Sequence, residues 1–267
     1  MDTIQKKNGY YAVDKVYVGA APIDRISKKT LLNCIEKKIK SPEQGYVCFC
    51  EAHLCVRAIF DDEIRFLLEN ASFVLPDGIA MQLGARMLGK PVPERLPGPS
   101  LLLDVCESGI NKGYRHFFYG GAEGIAEKLA DKLSVKYPGL QIAGTFCPPF
   151  RSLTESEDRE IIERINQSKA DIVWVGLGAP KQEKWMFDHL EKIEAPIMMG
   201  VGAAFDFHSG HKKWAPRWIR IIGLEWLYRI FTGGKRVFWR NLKHESMFVY
   251  LLVKQKIRLF FDRDFKY

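Results

Sequence analysis

From Asp14 to Phe205 the chain alternates short runs of β-branched and aromatic residues with amphipathic stretches of helical period. This alternation restricts the fold more than any other feature. Candidate strands fall at 16–19, 46–50, 73–75, 116–119, 141–145, 172–175 and 197–200. Stretches 28–39, 125–136, 156–167 and 181–191 read as helices between them. Strands separated by helices at this spacing run parallel, because each crossover uses a helix to bring the chain back. Residues 172–175 and 197–199 are apolar almost without interruption, as suits strands buried on both faces. The expectation is an α/β fold, a Rossmann-like, mostly parallel sheet with flanking helices and no internal repeats.

The pattern changes after residue 211. Residues 212–267 hold 14 Lys or Arg against four acids, and 13 of the chain's 33 aromatic residues. A segment at +10 in a chain of net charge +8 carries the entire positive excess. Helices are expected at 216–231, 235–243 and 246–261, with Pro216 at a helix start and Gly233-Gly234 at a break. The 267 residues are therefore expected to divide into a Rossmann-like domain, 1–211, which would carry any catalytic site, and a basic-aromatic helical appendage, 212–267. Arg and Lys among Trp and Tyr suit an anionic membrane surface. The same composition suits nucleic acid in general. Its confinement to one terminal appendage behind a nucleotide-sugar-like sheet favours the membrane, and no nucleic-acid partner is expected.

No apolar run approaches the roughly 18–20 residues of a spanning helix. Residues 1–10 lack the apolar stretch of a secretory signal, so a cytoplasmic protein, peripheral on the inner face of the cell membrane, is expected. The six cysteines then read as reduced thiols. Cys48, Cys50, His53 and Cys55 lie close in sequence, but a zinc site lacks its second Cys pair, and 46–50 reads as a buried strand. No metal and no cofactor are expected.

In an open parallel sheet, ligands bind beyond the carboxyl ends of the strands. Asp77, in Pro76-Asp77-Gly78, follows one such end and precedes the helix expected at 79–88. It is either a turn or N-cap residue or a general base. Gly120-Gly121, Gly176-Leu177-Gly178 and Gly200-Val201-Gly202 follow three others, where glycine lets backbone amides approach a phosphate. A dinucleotide fingerprint would place an acid near Gln141, so a nicotinamide cofactor loses support. A Walker A lysine loop and a Gly-x-Ser-x-Gly elbow are both missing. A nucleotide or nucleotide-sugar site is the reading these turns support.

Five segments occur in fixed order: PDGIAMQLGARMLGKPVPERLPG, FFYGGAEGIAEKLADKL, VGLGAPKQEKW, GVGAAFDFHSG and APRWIRIIGLEWLYRI. Together with VGAAPIDRIS they resemble the WecG/TagA/CpsF glycosyltransferases (glycosyltransferase family 26) from about residue 14 to 243. The resemblance implies an inverting, metal-independent bacterial enzyme of envelope or exopolysaccharide assembly. Such enzymes move a hexose, N-acetylhexosamine or hexuronate from a UDP-sugar to a polyprenyl-diphosphate-linked saccharide. It also implies an appendage that contacts the membrane.

Carried over by position, Asp77 matches the proposed catalytic base, Arg95 a site arginine, Gln182 a donor-site glutamine and Asp206 a site aspartate. Without a metal, Arg95, the helix N-termini and Arg217, Arg220 and Arg229 of the appendage are expected to balance charge on the leaving diphosphate. For the three appendage arginines, contact with lipid headgroups alone is the alternative. Two positions depart from the family. Its Thr-x-Asn turn reads Phe49 and Glu51 here, and its Arg-x-x-Gly-x-Asp reads Arg95 to Ser100. An acid in place of an amide disfavours an anionic sugar, so the donor is not inherited from the resemblance. A catalytically silent, membrane-docked nucleotide-sugar-binding module is the alternative function, and a homo-oligomer is a possible assembly.

Overall fold

The computed structural model describes residues 5–7, 10–232 and 234–262, with side chains described at 13–228 and 244–262. In chain order, hairpin β1 (Gln5–Lys7) and β2 (Tyr10–Ala12) precedes hairpin β3 (Lys15–Val18) and β4 (Ala21–Asp24). Then come α1 (Lys28–Ile39), β5 (Gly45–Cys50), α2 (Ala52–Phe60), α3 (Asp62–Glu69), β6 (Phe73–Pro76), α4 (Ile79–Met87) and α5 (Gly98–Gly109). The elements β7 (Arg115–Gly120), α6 (Ile125–Lys136), β8 (Gln141–Phe146), α7 (Glu155–Gln167), β9 (Ile172–Gly176), α8 (Lys181–Asp188) and β10 (Ile197–Gly200) follow. Helices α9 (Ala204–Ser209), α10 (Arg217–Ile221), α11 (Glu225–Thr232) and α12 (Gly234–Phe261) complete the chain.

Six strands form one sheet in the order β6-β5-β10-β9-β7-β8, and the registered pairs from β5 to β8 are all parallel. The α/β, Rossmann-like architecture is therefore present. Strands β5 and β10 are buried along their whole length, and β9 at all but its last residue. Their uninterrupted apolar runs have no solvent face to serve. Strand β8 lies at an edge and is only half-buried, which accounts for its polar Gln141 and Thr145. Helix α7 starts with a capping box: Thr154 Oγ1 accepts from Glu157 N–H (3.2 Å), and Glu157 Oε2 accepts from Thr154 N–H (2.8 Å).

Three sequence expectations need correction. The run at 16–19 does not join the parallel sheet; as β3 it pairs antiparallel with β4 across a tight turn in which Gly19 takes φ +59°. The helix expected at 216–231 is two helices. Gly223, at φ +79°, ends α10 in a Schellman motif, with Gly223 N–H bonded to Arg220 O (3.1 Å) and Leu224 N–H to Ile219 O (3.0 Å). Conversely, 235–243 and 246–261 form the single helix α12. Residues 244–246 include no helix breaker, and the His244 ring packs edge-on against His53, 4.4 Å between centroids. Gly233, at the expected break, lies outside the described residues.

The chain divides into two compact units, one of residues 1–30, 49–97 and 214–267, the other of 31–48 and 98–213. In the first unit, α12 is stapled to the β3–β4 hairpin by buried Gln255. Its Oε1 accepts from Gly19 N–H (2.8 Å) and its Nε2 donates to Tyr17 O (2.8 Å). Phe248 and Leu252 complete the seat against Gly84 of α4, where a Cβ would stand 3.4–3.5 Å from them. In the second unit, β7, β9 and β10 carry the core, with Phe117, Phe118, Trp174 and Phe205 almost fully buried.

Asp24 in the first unit is 1% exposed and accepts from Val74 N–H (2.6 Å), with Lys15 at 3.7 Å. Burial raises its carboxyl to about 6 against those two favourable partners. The folded state therefore holds a proton that the unfolded chain releases near its ordinary value, and stability falls as pH rises from about 4 to about 6. Asp24→Asn should flatten that slope, a difference of roughly 2–3 kcal/mol, read by urea unfolding across the window.

Candidate active site

The expected site residues fall into the two units, and each group is built separately. In the first unit, Asp77 follows β6 and is half-buried; its N–H donates to Cys50 O (3.0 Å), which ties it to the end of β5. Gly78 holds the N-cap position of α4, so Asp77 stands one residue ahead of the helix. Phe49 is 4% exposed, so its ring is a core side chain. Glu51 is the exposed member of that pair, at the N-cap of α2 with no side-chain capping bond. Across from it on α12, burial and then the Glu51 charge raise the Glu245 carboxyl to about 7.

Arg95 reaches the appendage. Its Nη2 donates to the last carbonyls of α10, Arg220 O (2.8 Å) and Ile221 O (3.1 Å). Arg220 lies 3.5 Å over the Trp214 ring, and its Nε donates to Ala215 O (2.9 Å). Arg217 is exposed. The Arg229 side chain lies outside the described residues.

In the second unit a cavity of about 1150 Å³ opens among the turns that follow β7, β8, β9 and β10. That volume suits a ligand of nucleotide-sugar size. Gly121, Gly178, Asp206 and His211 line it, with Arg151, Lys181, Lys184 and Lys212 as cations. Asp206 pairs with Lys212 (2.5 Å). Gly120 is not in the lining and has a packing role instead. At φ +133°, a Cβ there would stand 2.6 Å from Gly176 C, so the backbones of β7 and β9 touch.

Gln182 is 4% exposed and its amide is committed within the protein. Nε2 donates to Gly200 O (2.6 Å) and Glu183 Oε1 (2.9 Å), while Oε1 accepts from Gly178 N–H (3.2 Å). These bonds brace the Gly178 turn against the end of β10. The structure also assembles a wall that sequence reasoning missed. Trp185 stacks on Tyr119 (4.2 Å between centroids) and on His189 (4.4 Å). His189 Nε2 meets Asp158 at 3.0 and 3.2 Å, and its Nδ1 lies 2.7 Å from Trp185 O. Trp185 closes the segment VGLGAPKQEKW, which was the only available signal.

Among the described residues, no group of three His, Cys, Asp or Glu side chains is arranged to hold a metal ion. Cys48, Cys50 and Cys55 are buried, and Cys55 Sγ donates to Val18 O (3.0 Å).

The profile of the Glycosyl transferase WecG/TagA/CpsF family matches residues 16–261. A protein of Bacillus spizizenii named N-acetylglucosaminyldiphosphoundecaprenol N-acetyl-beta-D-mannosaminyltransferase is 30% identical over 212 residues, 79% of this chain and 80% of its own length. A Staphylococcus aureus protein of the same name is 30% identical over 193 residues, 72% of this chain and 73% of its own.

Gln182→Ala removes three hydrogen bonds and leaves Gly200 O and Gly178 N–H without that partner. It should cost about 2–4 kcal/mol in urea unfolding. A change below about 1 kcal/mol would contradict the bracing role.

Proposed function

The chain belongs to the WecG/TagA/CpsF glycosyltransferase family and is a glycosyltransferase, and from that premise we propose its substrates and mechanism. It moves a hexose, N-acetylhexosamine or hexuronate from a UDP-sugar to a polyprenyl-diphosphate-linked saccharide, in synthesis of a bacterial envelope polymer or exopolysaccharide. The match along residues 16–261, with relatives named for a diphosphoundecaprenol-linked acceptor, is the observation that carries this reading. In the second unit, the cavity with glycine turns and a cationic rim takes the UDP part of the donor. Asp77 takes the proton of an acceptor hydroxyl as its oxygen attacks the anomeric carbon from the face opposite UDP. The bond from that carbon to the diphosphate oxygen breaks with its electron pair going to UDP, so the anomeric configuration inverts. The cavity's own cations, Lys181 and Lys184 among them, balance the charge on the leaving group without a metal. Exposed Glu51 disfavours an anionic saccharide, which ranks neutral sugars ahead of uronic acids.

The basic appendage is the membrane-associating part, and the enzyme is peripheral on the cytoplasmic face. No helix among the described residues is long and apolar enough to cross a membrane. Helix α12 buries Phe248, Leu251 and Leu252 on one side and exposes Val249, Tyr250, Val253, Ile257, Phe260 and Phe261 on the other. Lys254, Lys256 and Arg258 lie along the same stretch, and α10 adds exposed Trp218 and Ile221. An exposed apolar stripe beside cations suits an interface of anionic headgroups.

Two outcomes test this reading. UDP release, measured with a panel of UDP-sugars and polyprenyl-diphosphate-linked monosaccharides, should need the acceptor and fall about 10²–10⁴-fold in Asp77→Ala and Asp77→Asn. Release untouched by both variants would remove Asp77 as the base. Reversing Lys254, Lys256 and Arg258 to Glu should weaken binding to phosphatidylglycerol vesicles by more than about 1 kcal/mol per site. Binding to phosphatidylcholine vesicles should change little, and equal loss on both would contradict the electrostatic part.

A further inference from the structure

Arg95 sits in a closed ring of contacts around the Asp77 turn, all within the first unit. Leu96, its neighbour, donates its N–H to Pro76 O (2.9 Å), the carbonyl just before Asp77. On the same loop, Glu94 Oε1 accepts from Lys28 N–H (2.7 Å), which anchors the segment from its other side. The Arg95 side chain then reaches the C-terminus of α10. There the Schellman motif accounts for Ile219 O and Arg220 O, and the next carbonyl, Ile221 O, receives Arg95 Nη2 at 3.1 Å. The positive guanidinium also lies at the negative end of the helix. The turn that follows returns to the start of α4: a Cβ on Gly223 would stand 2.7 Å from Ile79 Cβ. Ile79 is two residues beyond Asp77. Only glycine meets both the left-handed φ of +79° and this close approach.

We propose that Arg95 is a positioning residue, which seats α10 of the basic appendage beside the Asp77 turn and is not a ligand of the donor diphosphate. The proposal rests on the transferase reading for its functional meaning, though the seating itself does not. An arginine whose nitrogen donates to two helix carbonyls orients the chain that bears Arg217 and Trp218, and it does so before any substrate arrives. Loss of that contact frees α10 and moves those side chains relative to the turn, while the second-unit cavity keeps its own residues. Arg95 therefore affects turnover with the lipid-linked acceptor and leaves UDP affinity nearly unchanged. The seat depends equally on Gly223, so disturbing it from that side gives the same phenotype without altering any charge.

The test compares Arg95→Ala, Arg95→Lys and Gly223→Ala with wild type in the full chain, using Arg86→Ala on the exposed side of α4 as a charge-loss control. Amide exchange over residues 217–224 and UDP affinity by calorimetry are the two readouts, and neither needs turnover. Arg95→Ala and Gly223→Ala should quicken exchange there by about tenfold, while UDP affinity stays within about twofold. Arg95→Lys, whose ammonium still donates to carbonyls, should restore most of the protection, and it keeps the test usable if the alanine variant folds poorly. Unchanged exchange in Arg95→Ala overturns the proposal, as does a loss of UDP affinity of about tenfold or more. A wild-type chain that binds no UDP at all would defeat the transferase reading, and exchange would still decide the seating of α10.

Discussion

Gly120 and Gly176 end neighbouring strands with their backbones in contact, and the shape of the second unit depends on that approach. A side chain on Gly120 would meet Gly176 C at 2.6 Å, and one on Gly176 would meet the Phe205 ring at 2.7 Å. The missing Cβ at Gly120 lets the strands close, and the one at Gly176 makes room for Phe205. Gly121 N–H then reaches Gly176 O (3.0 Å), so the two turns leave the sheet as a bonded pair. Phe205 fills the space above Gly176 and packs edge-on against Phe118, 6.0 Å between centroids. Gln182 fixes the next turn against Gly200. The cavity wall at these turns is thus backbone held by packing and by hydrogen bonds within the unit.

The first unit uses a different device. Its appendage is joined to the rest of that unit by polar contacts at widely separated positions, buried at Gln255 and half-buried at Arg95. Gln255 holds α12 to the β3–β4 hairpin, and Arg95 holds the end of α10. The Gln255 bonds favour one arrangement, because a displaced α12 would leave that buried amide without partners. The apolar contacts beneath, Phe248 and Leu252 on Gly84, supply the burial. The same helix therefore has one face committed to the protein and another left for a surface of matching chemistry.

Much of this fold was legible in the sequence. Uninterrupted apolar runs marked β5, β9 and β10 because strands covered on both faces need no polar alternation. Asp77 and the glycine turns were placed correctly after their strands, since strand ends are marked by Gly and Pro. Periodicity alone could not distinguish β3 in a hairpin from a strand in the parallel sheet, because four residues read the same in both. The break at Gly223 hid inside an amphipathic pattern, as a single glycine in a helical stretch often does. Roles were harder to read than positions. Gln182 and Arg95 both belong to the motifs that suggested ligand contacts, and the structure gives each hydrogen bonds within the protein. Nothing in a linear pattern predicts a partner 125 residues away for Arg95, or 236 for Gln255.

The account stands or falls on transfer to a lipid-linked saccharide. The most direct measurement is the mass of the polyprenyl-diphosphate-linked product after incubating wild-type enzyme with a UDP-sugar and the lipid acceptor. The account predicts a lipid heavier by one sugar residue, formed in step with UDP. Free sugar appearing with the UDP, and a lipid of unchanged mass, would show hydrolysis without transfer and contradict it.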